Sequence, residues 1–180
     1  MKVTTVLLLL LIVQMTSSCS IKRSGESIAN SLQEMAAALR DMNRKELDDS
    51  QDDWNEVNSN EETYTYRTST KREDIEKTVL TVDSSGRILE RSFIRMDEDE
   101  NIISQWKENE ETLGVHDEGS SLKSIDDFYE ECNTLLKTLD DHQNLCLDFN
   151  SDNIIQVCYV KNIESDSCEE MKLYEEITFK

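Results

Sequence analysis

Apolar residues recur with helical spacing up to residue 46 and with a period of two from Tyr64 onward, and this change constrains the fold more than any other feature. Ile28, Leu32, Met35, Leu39 and Met42 step by 4, 3, 4 and 3, which puts them on one face of a helix over residues 26–46. Ala36, Ala37 and Ala38 add helix propensity. The stripe covers only about two heptads, so it reads as a helix packed on its own domain in preference to a coiled-coil seam. Ser50 opens "SQDD", an N-cap followed by acids near the positive end of a helix. It predicts a separate short helix over residues 51–57, with Trp54 and Val57 on one side.

Tyr64, Tyr66, Thr68 and Thr70 then line one face of a strand. "DIEKTVLTV" and "RILERSFIRM", separated by "DSSG", predict a hairpin with Gly86 in the left-handed region. "MDEDEN" is a second turn, "IISQW" a further strand carrying Trp106, and residues 108–121 a polar loop. Ser124 opens "SIDD", and Ile125, Phe128, Cys132, Leu135 and Leu139 step by 3, 4, 3 and 4, predicting a helix over residues 124–139. Strands over residues 144–149, 154–161 and 170–179 close the chain. The fold class is α+β: an N-terminal helix and an antiparallel sheet of about seven strands, with one helix inserted between strands four and five.

The first residues stand apart from that fold. Lys2, the apolar run "VLLLLLIV" and the small polar "QMTSSCS" have the make-up of a secretory signal peptide. A membrane span needs ~20 apolar residues, and this run is too short for one. Cleavage after Ser18, Cys19 or Ser20 each leaves small residues at the recognition positions. The expected organisation is residues 1–19 as signal peptide, 20–49 as an N-terminal helical segment and 50–180 as the α+β domain.

A secreted chain is expected to oxidise its cysteines. If residues 151–153 form a three-residue turn, Phe149 faces Ile155, Leu147 faces Val157 and Leu145 faces Tyr159 on one side of a hairpin. That register sets Cys146 opposite Cys158 and leaves Cys132 for Cys168, so the expected bridges are Cys146–Cys158 and Cys132–Cys168.

The net charge is −20, from 39 acidic and 19 basic residues. Such a charge repels nucleic acid and anionic lipid and favours cations or basic proteins as partners. Acids cluster at Asp48, Asp49, Asp52 and Asp53, at Asp97, Glu98, Asp99 and Glu100, and at Glu108, Glu110 and Glu111. Asp97, Glu98, Asp99 and Glu100 are the weak candidates for a metal site, as hard oxygen ligands for calcium. "DFNSDNII" places Asp148, Asn150 and Asp152 at calcium-loop spacing, but Tyr159 stands where the bidentate glutamate belongs, so it reads as a hairpin turn. His116, in a polar loop, and His142, just past a helix end, carry no catalytic constellation. No nucleophile elbow, HExxH, CxxC or glycine-rich phosphate loop occurs, so no catalytic residue or cofactor is assigned.

Trp54, Tyr64–Thr65–Tyr66–Arg67, "VLTVDSSGRI" and "SIDDFYEECNTLL", taken in order, resemble an uncharacterised family of small secreted domains of unknown function. Its pattern runs Trp, Tyr-x-Tyr, Val-x-Val-x-x-x-Gly and "tIDDLF", and the likeness covers residues 50–179. The resemblance implies a sheet-and-helix domain with Trp54 and the tyrosines in its core, and it implies no activity. The leading expectation is a secreted, monomeric, acidic, non-enzymatic extracellular protein, associated with matrix or mineral through weak multivalent calcium binding. The alternative is a secreted binding module for a small apolar ligand or a peptide.

Overall fold

The computed structural model describes residues 24–71, 73–140, 142–162 and 172–180. The expected signal peptide and Cys168 lie outside the described residues. By its contacts the chain divides into two units, Met1–Ala37 and Ala38–Lys180. Among the described residues no helix is long and apolar enough to cross a membrane.

The first helix, α1, runs unbroken over Ser24–Ser59, where the sequence predicted two helices. Nothing in "KELDDSQDD" breaks a helix, since it holds neither glycine nor proline. Ser50 does not cap. Its buried hydroxyl donates to Asn153 O at 2.6 Å and lies 2.7 Å from the Tyr129 hydroxyl. Of the predicted apolar stripe, Met35, Leu39 and Met42 are 45%, 41% and 51% exposed instead of packed. Extended by its own steps, the stripe arrives at Glu46 and Asp49. The buried face is instead Asn43, Leu47, Ser50, Trp54 and Asn58, one residue (about 100°) further round the helix.

Seven strands follow among the described residues: β1 (Thr63–Lys71), β2 (Ile75–Asp83), β3 (Ile88–Met96), β4 (Ile102–Asn109), β5 (Gln143–Phe149), β6 (Ile155–Asn162) and β7 (Glu176–Phe179). The second helix, α2 (Ile125–Thr138), lies between strands four and five as expected. The strands do not make one sheet. Five form an antiparallel sheet in the order β4-β3-β2-β1-β7, and β5-β6 form a separate pair. β7 joins β1 instead of β6 because Phe179 then stands opposite Tyr64 and Ile177 opposite Tyr66, all on the helix side. The β2–β3 hairpin turns through Gly86 at φ +82°, where glycine adopts the left-handed region without a Cβ penalty.

One point ties these elements together. Ser124 caps α2: its hydroxyl accepts the Asp127 N–H at 3.1 Å, and Asp127 Oδ2 accepts the Ser124 N–H at 2.6 Å. The Tyr64 hydroxyl accepts the Ile125 N–H at 3.0 Å, Tyr66 donates to Lys123 O, and Trp54 Nε1 donates to Asp126 Oδ1 at 2.9 Å. Trp54 also meets Tyr64 edge-on at 4.9 Å. A Cβ on Gly86 would stand 3.5 Å from Asp126 Oδ2. The short motifs built on Trp54, Tyr64, Tyr66, Gly86 and "SIDD" thus converge on the first turn of one helix. Trp54, Tyr64, Tyr66, Leu80, Val82, Ile125 and Tyr129 form the centre of the core. Burial pushes the Tyr64 and Tyr66 phenols well above their ordinary range.

The observed bridge is Cys132–Cys158, which corrects both predicted pairings. Phe149 faces Ile155 as expected, but Asp148 then faces Val157, so Gln156 is an extra, bulged residue. Beyond the bulge Leu147 faces Cys158 and Cys146 faces Tyr159. The one-residue shift takes Cys158 away from Cys146 and brings it to Cys132 on α2. Gln156 has its own use, donating its amide to Tyr174 O at 3.1 Å. Cys146 is also disulfide-bonded.

Candidate functional site

The two faces of the five-stranded sheet are unlike. Alternation along each strand and the pairing across strands assign every residue to a face. One face carries Tyr64, Tyr66, Leu80 and Val82 beneath the helices, and Thr78, Arg91, Phe93, Trp106 and Glu108 beneath the 110–121 loop.

That loop is fastened by an ion pair that sequence patterns did not reveal. Arg91 Nη2 and Glu108 Oε2 are 2.9 Å apart, and their side chains are 5% and 0% exposed. Arg91 also donates to Ser120 O at 3.1 Å and to His116 O at 2.7 Å. The Glu108 carboxylate accepts the N–H groups of Gly114 at 3.1 Å and His116 at 2.8 Å, with His116 Nδ1 3.0 Å away. Burial alone would raise the Glu108 pKa. Arg91 and the His116 and Gly114 N–H groups outweigh it and hold the carboxyl at about 2. The His116 ring stacks on Trp106 at 4.4 Å, and Trp106 on Phe93 at 5.2 Å. Gly119, at φ +84°, passes so close that a Cβ there would meet Thr78 Oγ1 at 2.9 Å. Both carboxylate oxygens of Glu108 are occupied, so the cluster works as a clasp for the loop.

The opposite face is uncovered among the described residues. Three rows cross four strands: Arg67–Val79–Ser92–Lys107, Ser69–Lys77–Ile94–Gln105 and Lys71–Ile75–Met96–Ile102. None of these twelve residues is buried. Four (Arg67, Lys71, Lys77 and Lys107) are cations, and none is an acid. Arg67 is held from the β7 side by Glu175 and Glu176, each at 3.2 Å, and Lys107 from the next row by Glu90 at 2.7 Å. Lys71 and Lys77 have no ion pair among the described residues. A shallow depression of about 470 Å3 lies over this face, its lining including Arg67, Lys77, Val79 and Lys107 together with Phe93 and Trp106. Residues from four separate stretches make it, so no local motif could announce it.

The sequence candidates lie elsewhere. Asp97, Glu98, Asp99 and Glu100 form the β3–β4 turn, where Asp97 Oδ1 accepts the N–H groups of Asp99 at 3.0 Å and Asn101 at 2.8 Å. Those bonds, the Asn101 side chain's first, hold the Asp97 carboxyl below its ordinary pKa. Among the described residues no three His, Cys, Asp or Glu side chains are placed to hold a metal ion. "DFNSDNII" is a hairpin turn in which Asn150 Oδ1 accepts the N–H groups of Asp152 and Ile154, each at 2.9 Å. His142 is exposed beyond α2. Comparison with protein-family models, curated proteins and solved structures gave no match.

Proposed function

We propose that the protein is a secreted, non-enzymatic binding module that receives a peptide segment of a partner protein on the uncovered face of its five-stranded sheet. Secretion rests on the signal-like first residues and on the disulfide chemistry. The observation that carries the reading is the contrast between the faces: one is closed by helices and a clasped loop, the other lies open across four strands. Small-molecule sites are concave and bury most of their ligand. A shallow sheet surface fits an extended or flat partner better.

Peptides selected from a random displayed library on the oxidised, folded protein test it. Selected peptides are expected to shift the backbone amide resonances of Val79, Ser92 and Ile94. Failure to select any peptide, or shifts confined to α2 and the β5–β6 pair, would overturn the reading.

A further inference from the structure

Resting on that binding-face reading, we infer the chemistry of the partner: an extended peptide segment that alternates carboxylates and aliphatic side chains on one of its faces. The chain as a whole is strongly acidic, yet twelve adjoining positions hold Arg67, Lys71, Lys77 and Lys107 and no acid. The cations are interleaved with Ile75, Val79, Ile94, Met96 and Ile102, so a complementary surface needs anions and aliphatic groups in the same small area.

The rows themselves contain no aromatic residue; Phe93 and Trp106, which also line the depression, belong to the closed face, where Trp106 already stacks on Phe93 and His116 instead of offering a free platform for nucleic acid bases. Three of the acids at the rim, Glu90, Glu175 and Glu176, already engage Arg67 and Lys107, and Glu73, Asp74 and Asp97–Glu100 lie in the turns beyond the last row. Lys71 and Lys77 are the cations left for a partner. Side chains two residues apart on a strand are ~6.8 Å apart, in the partner as in the sheet, so alternate positions of an extended peptide match the spacing of the rows.

The net charge of −20 does not prevent this contact. At physiological ionic strength charges are screened over about 8 Å, whereas the four strands span about 15 Å. A carboxylate seated at the middle of the face, beside Lys77, therefore feels that cation more strongly than the acids of the turns one row away.

The test uses a peptide of repeated Glu-Ser-Leu-Ser, which as a strand presents Glu and Leu on one side, and its Lys-Ser-Leu-Ser counterpart. Binding to the full oxidised chain is followed through the amides of Val79, Ser92 and Ile94. The acidic peptide is expected to shift them, and Lys77→Glu to weaken it at least about tenfold with an unchanged thermal melt. The basic peptide is expected to leave the face untouched and to shift only acidic surface such as Asp97–Glu100. If both peptides bind the face equally, if Lys77→Glu has no effect, or if an oligonucleotide displaces the acidic peptide, the partner chemistry is wrong while the binding face stands. If neither these peptides nor library-selected ones touch the face, the binding-face reading fails as well.

Discussion

Lys77 and Thr78 are neighbours on β2, yet they belong to different environments. Thr78 points under the clasped loop, is 2% exposed, and accepts the Ser120 N–H at 3.0 Å. Lys77 points to the open face and has no ion pair among the described residues. The same contrast runs along the whole sheet. On the closed face the buried charges are paired, as in Arg91–Glu108, and aromatic and aliphatic residues with the bonded Thr78 fill the rest. On the open face cations and aliphatic residues stand side by side without enclosure. One face therefore holds the enclosed contacts, and the other is uncovered among the described residues.

The sharpest way to break the comparison is on the closed face. Trp54 is fully buried, packs on Tyr64 and Phe179, and donates to Asp126 at the start of α2. Trp54→Ala is expected to cost about 3–5 kcal/mol in denaturant unfolding, the range for a buried aromatic. In a Trp106→Phe background, Trp54 emission should be blue-shifted when folded. A melt unchanged by Trp54→Ala would mean that the helix side of the sheet does not carry the core.

The second prediction concerns Glu108. Its carboxyl is held at about 2 in the folded protein against an ordinary 4.5, so the folded state favours the ionised form. The resulting stability is present above pH 4.5 and is lost as pH falls toward 2, in total on the order of 3 kcal/mol. Glu108→Gln leaves Arg91 buried without its counter-charge and is expected to cost about 3–5 kcal/mol at neutral pH. Urea unfolding from pH 6 to pH 2 checks both: the gap between wild type and variant should close as the pH falls. A gap independent of pH would mean that something other than the Glu108 charge holds the loop.

Much of the closed face was legible in the sequence, and the open face was not, for a physical reason. The α2 helix shows itself locally through the Ser124–Asp127 cap and its apolar steps, and Gly86 marks its hairpin. Alternation from Tyr64 says which residues share a face, but not which face will be covered. Arg67, Lys71, Lys77 and Lys107 come together only through lateral pairing across strands. Ser50 misled because a serine followed by acids looks the same whether its hydroxyl caps a new helix or reaches Asn153 from the middle of an old one. The bridge was misassigned because a bulge at Gln156 leaves no mark in apolar spacing until its partner, Tyr174 O, is in place.

A third prediction tests that bulge. Mapping of the non-reduced protein should yield a peptide joining Cys132 to Cys158. Replacing both by serine should cost about 3 kcal/mol, since the bridge closes a loop of sequence separation 26. A peptide joining Cys146 to Cys158 would restore the unbulged register and remove the account of Gln156.

The smallest expected effect returns to the neighbours on β2. Thr78→Val keeps the shape of a buried side chain but leaves the Ser120 N–H without its acceptor, so it should cost about 1–3 kcal/mol, and the loop amides should exchange faster. Lys77→Ala removes a longer side chain and a full charge, yet it should change stability by no more than about 0.5 kcal/mol, because no ion pair or enclosure is lost. The order runs against side-chain size and charge and follows only the face on which each residue stands. If Lys77→Ala proved as costly as Thr78→Val, the cations of the outer face would belong to the fold, and the reason for assigning that face to a partner would go with them.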